Sequence, residues 1–299
     1  MTRYNILTNS RARQQFVDGC LGLKREPLNG VTTYDYFVWW HHRAMTRMTP
    51  QMGTNPFGRN AAHGGPSFGP WHRLLLLVFE FQLRRVLGDN NFRIPYWDWG
   101  ADAAAPLQSA LWGADVMGGD GNPVTSGPFS GSGEFRVRLI QNGSSDNFTF
   151  VNRPLRRDIG TLTSRLPSTA QIREIIRNFA QWSTAPWNNG PSTGGFRKEL
   201  EIPLHNVIHR FIGLDMMTST SPNDPIFWLH HANIDRIWAA WQSRYGFTNY
   251  VPSDAEPATL DMHRRGDRMH SFLNQSVTAE MVLDYRSYYD YDSIADILP

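Results

Sequence analysis

The chain has 299 residues, a net charge of +2 and a single cysteine, Cys20. That length allows one large domain with a sizeable buried core, read here as 1–299, while the lone cysteine excludes a disulfide framework and any thiolate-rich zinc or iron–sulfur site. Acidic and basic residues are interspersed with no Lys/Arg block, so the charge writes no nucleic-acid stripe, and no run of about 18 apolar residues offers a membrane span, Leu74 to Phe81 being the most apolar stretch.

The first residues, Met1 to Leu7, carry neither a basic region with an apolar core nor a twin-arginine pattern. The expectation is a cytoplasmic product, or export with a signal-bearing partner. A breaker-free segment from about Thr33 to Met45 predicts a helix, with strand left open by its aromatic and β-branched content. Next, Pro70 at a first-turn position opens an apolar helix that stops at Gly88.

Between Gly100 and Pro167 the chain is rich in Gly, Ser, Asn and Pro, with an alternating piece from Phe135 to Ile140; loops and a small hairpin are expected. Ser168 and Gln171 form a capping box ahead of an Ile172/Ile175/Ile176/Phe179 stripe, a scaffold helix. Two further helices are predicted at about Leu204 to Ile212 and from Asp224, as N-cap, to Tyr245 before Gly246. The fold class is mainly α, with loops and a small amount of β.

The chemistry lies in the histidines. Ten occur, and eight fall into two sets with none between His72 and His205. His205 and His209 are four apart on one helix, so their rings emerge one turn from each other and one ion can bridge them. His231, on the last helix, supplies a third imidazole, and His230 then points about 100° away around that helix. In the first set, His41 or His42 joins His63, in a Gly/Asn-rich loop, and His72.

Three neutral nitrogen donors per ion suit copper or zinc. Six histidines with no carboxylate beside them favour copper, because paired hydrolytic metals share bridging carboxylates. The plainer reading, a hydrogen-bonded core histidine, is kept for His42, His230, His263 and His270, which are left out of the ligand set. For His205 and His209 the neighbours Leu204, Val207, Ile208, Phe211 and Ile212 make an apolar segment in which unpaired imidazoles are costly, and ligation satisfies them.

Four blocks then become recognisable: Ala62-His63 with Ser67-Phe68-Gly69-Pro70-Trp71-His72-Arg73; Pro95-Tyr96-Trp97-Asp98-Trp99; Leu204-His205-Asn206 with His209-Arg210; and Ser221 to Trp238, with Asn223-Asp224-Pro225, Phe227 and His230-His231. Together they resemble bacterial tyrosinases over nearly the whole chain. The resemblance implies a central four-helix bundle with two copper ions, one on His41, His63 and His72, the other on His205, His209 and His231. Tyr34 and Asp35, seven and six residues before His41, match the family pattern and favour it over His42. Ala61 stands where fungal and molluscan relatives carry a cysteine crosslinked to the histidine, so no thioether is implied.

Further roles come with the resemblance. Asn206, with an upstream glutamate, is similar to the pair that holds a water for the phenol proton; Glu201 is the candidate, closer to His205 than in typical bacterial members, with Glu199 as fallback. The plain alternative for Glu201 is a carboxylate favoured by a helix start. Phe68 and Phe227 resemble aromatics on ligand imidazoles, with core as the plain alternative, and Arg210 resembles a residue at the pocket mouth. Tyr289 and Tyr291 resemble a motif that packs on an N-terminal arginine, here Arg3. No C-terminal lid domain is expected, and a caddie-type copper-delivery protein is a candidate partner.

The implied activity is dioxygen-dependent hydroxylation of monophenols and oxidation of o-diphenols to o-quinones. Rival readings are a catechol or o-aminophenol oxidase, a haemocyanin-like oxygen carrier, and a histidine-zinc structural protein. Sequons at Asn142, Asn147 and Asn274 would matter only on a eukaryotic secretory route.

Overall fold

The computed structural model describes residues 1–50, 58–131, 133–142 and 147–299; the Asn142 sequon runs out of the described residues. Helix α1, Ser10–Arg25, is capped by Asn9, whose side chain accepts from the Ala12 N–H. This helix is absent from the elements expected from the sequence, and it carries two residues of low helix propensity, Gly19 and Gly22. Both glycines serve a close approach: a Cβ on Gly19 would lie 2.8 Å from Leu83, and one on Gly22 2.8 Å from Val86, both on α3.

Helix α2, Thr33–Thr46, is closed by a capping box between Thr32 and Asp35, which decides for helix over strand. Helix α3, Phe68–Leu87, starts two residues ahead of Pro70, keeping that proline in the first turn, and ends on Gly88 in the left-handed region at φ 64°. Helix α4, Thr169–Asn178, has the Ser168/Gln171 capping box.

The segment expected as one helix from 204 is longer and broken. A short α5, Phe196–Glu199, passes into a π turn, Leu200–His205, and then into α6, Asn206–Ile212. Pro203 lies inside that turn, and having no N–H it cannot keep the α ladder, so the backbone widens there. Helix α7, Ile226–Tyr245, has Pro225 at the N-cap position, one residue beyond the expected Asp224, and the Asp224 Oδ1 accepts from the Ile226 N–H at 3.0 Å.

Every residue of α7 from Ile226 to Gln242 is buried, so this helix runs through the core. Trp228 stacks on Phe79 of α3 at 3.6 Å, and Tyr34 and Phe37 of α2 pack edge-on against the same pair. Strand content is slight: β1 (Thr2–Arg3) pairs in parallel with β6 (Asp290–Tyr291), whereas β2 (Pro27–Leu28) pairs antiparallel with β3 (Val31–Thr32) and β4 (Val137–Gln141) antiparallel with β5 (Phe148–Arg153), the expected hairpin.

The expected clasp is present. The Arg3 guanidinium lies 3.5 Å over the Tyr289 ring and 6.0 Å from that of Tyr291, and it pairs with Glu80 and Asp235. Asp235 also accepts from Tyr291 Oη at 2.5 Å and pairs with Arg73. Burial alone would raise the Asp235 carboxyl, but Arg73 and Arg3 overcome it and hold the group below its ordinary range. Among the described residues no helix is long and apolar enough to cross a membrane.

Candidate metal centre

His41 rides on α2 and His72 in the first turns of α3, while His63 is delivered by a loop that Asn60 turns: its Oδ1 accepts from the Ala62 N–H at 3.0 Å and the His63 N–H at 2.7 Å. Gly64 has φ +72°, and a Cβ there would fall 2.7 Å from the Gly58 carbonyl oxygen, so this turn requires glycine. One ring nitrogen from each of His41, His63 and His72 lies within 4.8 Å of the others.

Backbone carbonyls set the tautomers. His41 donates Nδ1–H to Ser219 O at 2.7 Å and His72 to Phe68 O at 2.8 Å. A carbonyl only accepts, so each Nε2 is left with its lone pair, and both of those buried atoms lack a partner.

The second group is assembled across the π turn. His209 donates Nδ1–H to Met216 O at 2.6 Å, and His205 Nδ1 bonds Asn206 Oδ1 at 2.8 Å. Their Nε2 atoms lie 3.0 Å apart, two facing lone pairs that a cation between the rings would reconcile. His231 has both ring nitrogens buried without partners and stacks on His72 at 4.2 Å and 9°, which brings the two groups together.

His230 departs from expectation. A nitrogen of its ring lies within 4.8 Å of those of His205, His209 and His231, and neither of its nitrogens has a partner. The 100° separation on α7 does hold, but His205 sits over both rings, 5.1 Å from His230 and 4.8 Å from His231, and so gathers them. His263 stays in the core, bonded to Thr49 and Ser67, and His42 bonds Ser219 Oγ.

Burial keeps these rings uncharged. It pushes His41 down to about 3 and His209 to about 4, and takes His63, His72, His205, His230 and His231 well below the usual histidine value, with neighbouring imidazoles adding to the effect in these five. Neutral imidazoles with free lone pairs and no thiolate are the donor set copper takes, so the residues present fit that metal.

A cleft of about 620 Å³ opens onto His41, His63, His205 and His209. Asn206 and Arg210 line it, as do four methionines, Met45, Met48, Met216 and Met217; Arg210 is the one fully charged side chain among the described lining residues, and no carboxylate is among them. Phe68 and Phe227, expected at the pocket, do not line it. Both are fully buried wedges: Phe68 packs on His72 at 4.9 Å and His205 at 5.0 Å, Phe227 on His231 at 4.2 Å and His41 at 5.0 Å.

Glu201 is also placed differently from the water-holding expectation. It is 2% exposed and absent from the cleft lining. Its Oε1 accepts from the Gly64 N–H at 2.7 Å and its Oε2 from Arg197 at 2.9 Å, because the π turn aims it at the His63 loop. Glu199, the fallback, lies in α5 and does not line the cleft either.

Residues 31–244 match the common central domain of tyrosinase. The chain is 36% identical over 290 residues to a tyrosinase of Streptomyces glaucescens, with 94% of each covered. This chain belongs to the tyrosinase family. It is also 32% identical over 319 residues to grixazone synthase of Streptomyces griseus subsp. griseus, covering 97% of this chain and 98% of that one. Among solved structures, a polyphenol oxidase from Thermothelomyces thermophila matches with a TM-score of 0.73 at 22% identity, over 98% of this chain and 89% of that one, a likeness of fold. Tyrosinase-family membership makes the protein a type-3 copper oxidoreductase that uses two copper ions.

Proposed function

We propose that the protein hydroxylates monophenols ortho to the hydroxyl and oxidises o-diphenols to o-quinones, with His41, His63 and His72 holding one copper and His205, His209 and His231 the other. The observation that carries this reading is two adjoining groups of buried, uncharged imidazoles at the base of one cleft. When bound, the copper pair supplies the electron transfer between phenol and dioxygen. The chain acts as one domain over 1–299 in this reading, and a caddie-type delivery protein is its proposed copper source.

The protein's own part is positioning. Asn206, at the cleft, fixes the tautomer of His205. Phe68 and Phe227 stop the rings from turning and keep water from behind them. Arg210 gives the mouth a positive charge. Glu201 anchors the loop that carries His63. His230 packs against His205 as part of the wall, whereas His231, in the second group, stacks on His72 of the first.

One observation favours a second reading, a catechol or o-aminophenol oxidase. A phenol, with a pKa near 10, must lose its proton to bind copper, and no carboxylate lines the cleft among the described residues. The test is to load purified protein with copper, quantify the metal, and follow oxygen uptake and quinone absorbance with a monophenol, a catechol and an o-aminophenol in parallel. Two coppers per chain with monophenol turnover support the first reading. Turnover of only the other two substrates replaces it with the second, and reversible oxygen binding without turnover makes the protein a carrier.

A further inference from the structure

The two metal groups share one backbone tether. Within the loop from Met216 to Ser219, the first carbonyl receives the Nδ1–H of His209 and the last that of His41. Only two residues, Met217 and Thr218, thus separate the acceptors that orient one imidazole of each group. Such a tether works only if the loop itself is fixed, and the β4–β5 hairpin fixes it. Asp215, just before the loop, is held by Arg153 of β5. Asn223, just after it, donates Nδ2–H to Leu139 O of β4 at 2.7 Å.

The central attachment is Gln141, the last residue of β4. Its Oε1 accepts twice, from the Ser219 N–H at 3.0 Å and from the Ser219 hydroxyl at 2.8 Å. That hydroxyl in turn accepts the Nδ1–H of His42 at 2.6 Å. The directions of these bonds are consistent: the His42 Nδ1–H is donated to Ser219 Oγ, and the Ser219 N–H and hydroxyl are both donated to Gln141 Oε1. Ser219 is buried and Gln141 half-buried at the wall of the cleft, so losing these bonds leaves the Ser219 N–H with an unmade hydrogen bond.

We infer that Gln141 is a positioning residue for both metal groups, acting through the Met216–Ser219 loop. The inference rests on the copper reading above and adds to it a residue outside every ligand block. Because one loop serves both groups, loosening it turns His41 and His209 together, and both ions are released together. Partners that orient metal-bound histidines are typically worth ten- to a hundredfold in metal affinity.

The experiment is a chelator titration of the copper-loaded protein, reading copper per chain, with Gln141→Ala, Gln141→Glu, Ser219→Ala and Asn152→Ala. Gln141→Ala is expected to bind both coppers ten- to a hundredfold more weakly, in a single release phase. Gln141→Glu keeps an acceptor oxygen at the same reach for both Ser219 donors and should restore near-native affinity. Ser219→Ala keeps the carbonyl and the N–H but loses the hydroxyl, so it should fall between them, and it carries the test if Gln141→Ala does not fold. Asn152, on the same hairpin, accepts from Arg136 at its exposed side and should leave copper unchanged when replaced. Native affinity in Gln141→Ala, no rescue by Gln141→Glu, or equal loss in Asn152→Ala overturns the inference. Failure of the unsubstituted protein to take up copper instead overturns the copper reading itself.

Discussion

Replacing Glu201 by glutamine separates two roles for that side chain. The carboxylate lies between the Gly64 N–H, at 2.7 Å, and the Arg197 guanidinium, at 2.9 Å. Glutamine keeps an acceptor for Gly64 but removes the charge opposite Arg197, whose side chain is fully buried. Burial already pushes the Arg197 guanidinium down, against the opposing pull of Glu201. Breaking a buried pair from one side costs about 3–5 kcal/mol; the retained hydrogen bond, and the contacts of Arg197 to Asn188 O and Asn189, place the expected loss near the lower end, about 3 kcal/mol. Denaturant unfolding of the copper-free protein measures it. The His63 loop then loosens, and copper affinity should fall about tenfold. The deciding quantity is the ratio of monophenol to catechol turnover per copper bound. A carboxylate that only anchors the loop leaves that ratio unchanged. A drop of the ratio by more than tenfold with both coppers retained, together with a shifted pH profile, would refute the anchoring role and return Glu201 to proton handling.

Three further outcomes follow from the same geometry. Burial lowers His41 to about 3 and His209 to about 4, below the unfolded value near 6.5, so between those values the unfolded chain binds more protons than the folded one. The copper-free protein should therefore be fully stable above about pH 6.5 and lose stability as pH falls towards 4, by about 1.4 kcal/mol per pH unit for each such histidine; a flat stability from pH 7 to 4 contradicts the buried neutral rings. Gly64→Ala must adopt φ +72° and push a Cβ against the Gly58 carbonyl. It should cost at least about 1–2 kcal/mol and empty one copper site while the other stays filled, in contrast to Gln141→Ala. Arg210→Gln, at the exposed mouth, should raise KM roughly fivefold for a carboxylate-bearing phenol and leave an uncharged phenol unaffected, the scale of about 1 kcal/mol for a solvated charge pair; equal change for both would mean that Arg210 acts by shape.

What the sequence made legible are the features carried by side-chain spacing. The capping pair at Ser168/Gln171, the stop at Gly88 and the i, i+4 pair His205/His209 are local rules, and the structure holds each of them. Helix α1 carries two glycines whose purpose lies in α3, more than sixty residues away, a long-range fit that no local rule reads. His230 was assigned by the angle between neighbours on one helix, a rule blind to a third element; His205, crossing over α7, brings both rings within reach. Glu201 came with the resemblance, as a glutamate upstream of Asn206, but Pro203 opens a π turn between it and His205, and the carboxylate reaches Gly64 instead. The acceptors that fix His41, His72 and His209 are main-chain oxygens of Ser219, Phe68 and Met216. A carbonyl is present at every position and leaves no mark on residue identity, so the tautomer of each imidazole is settled by where a loop passes. That is why the histidines proposed to bind metal can be recognised in the sequence, while the loop that orients their rings, and the glutamine bonded to it, become visible only in three dimensions.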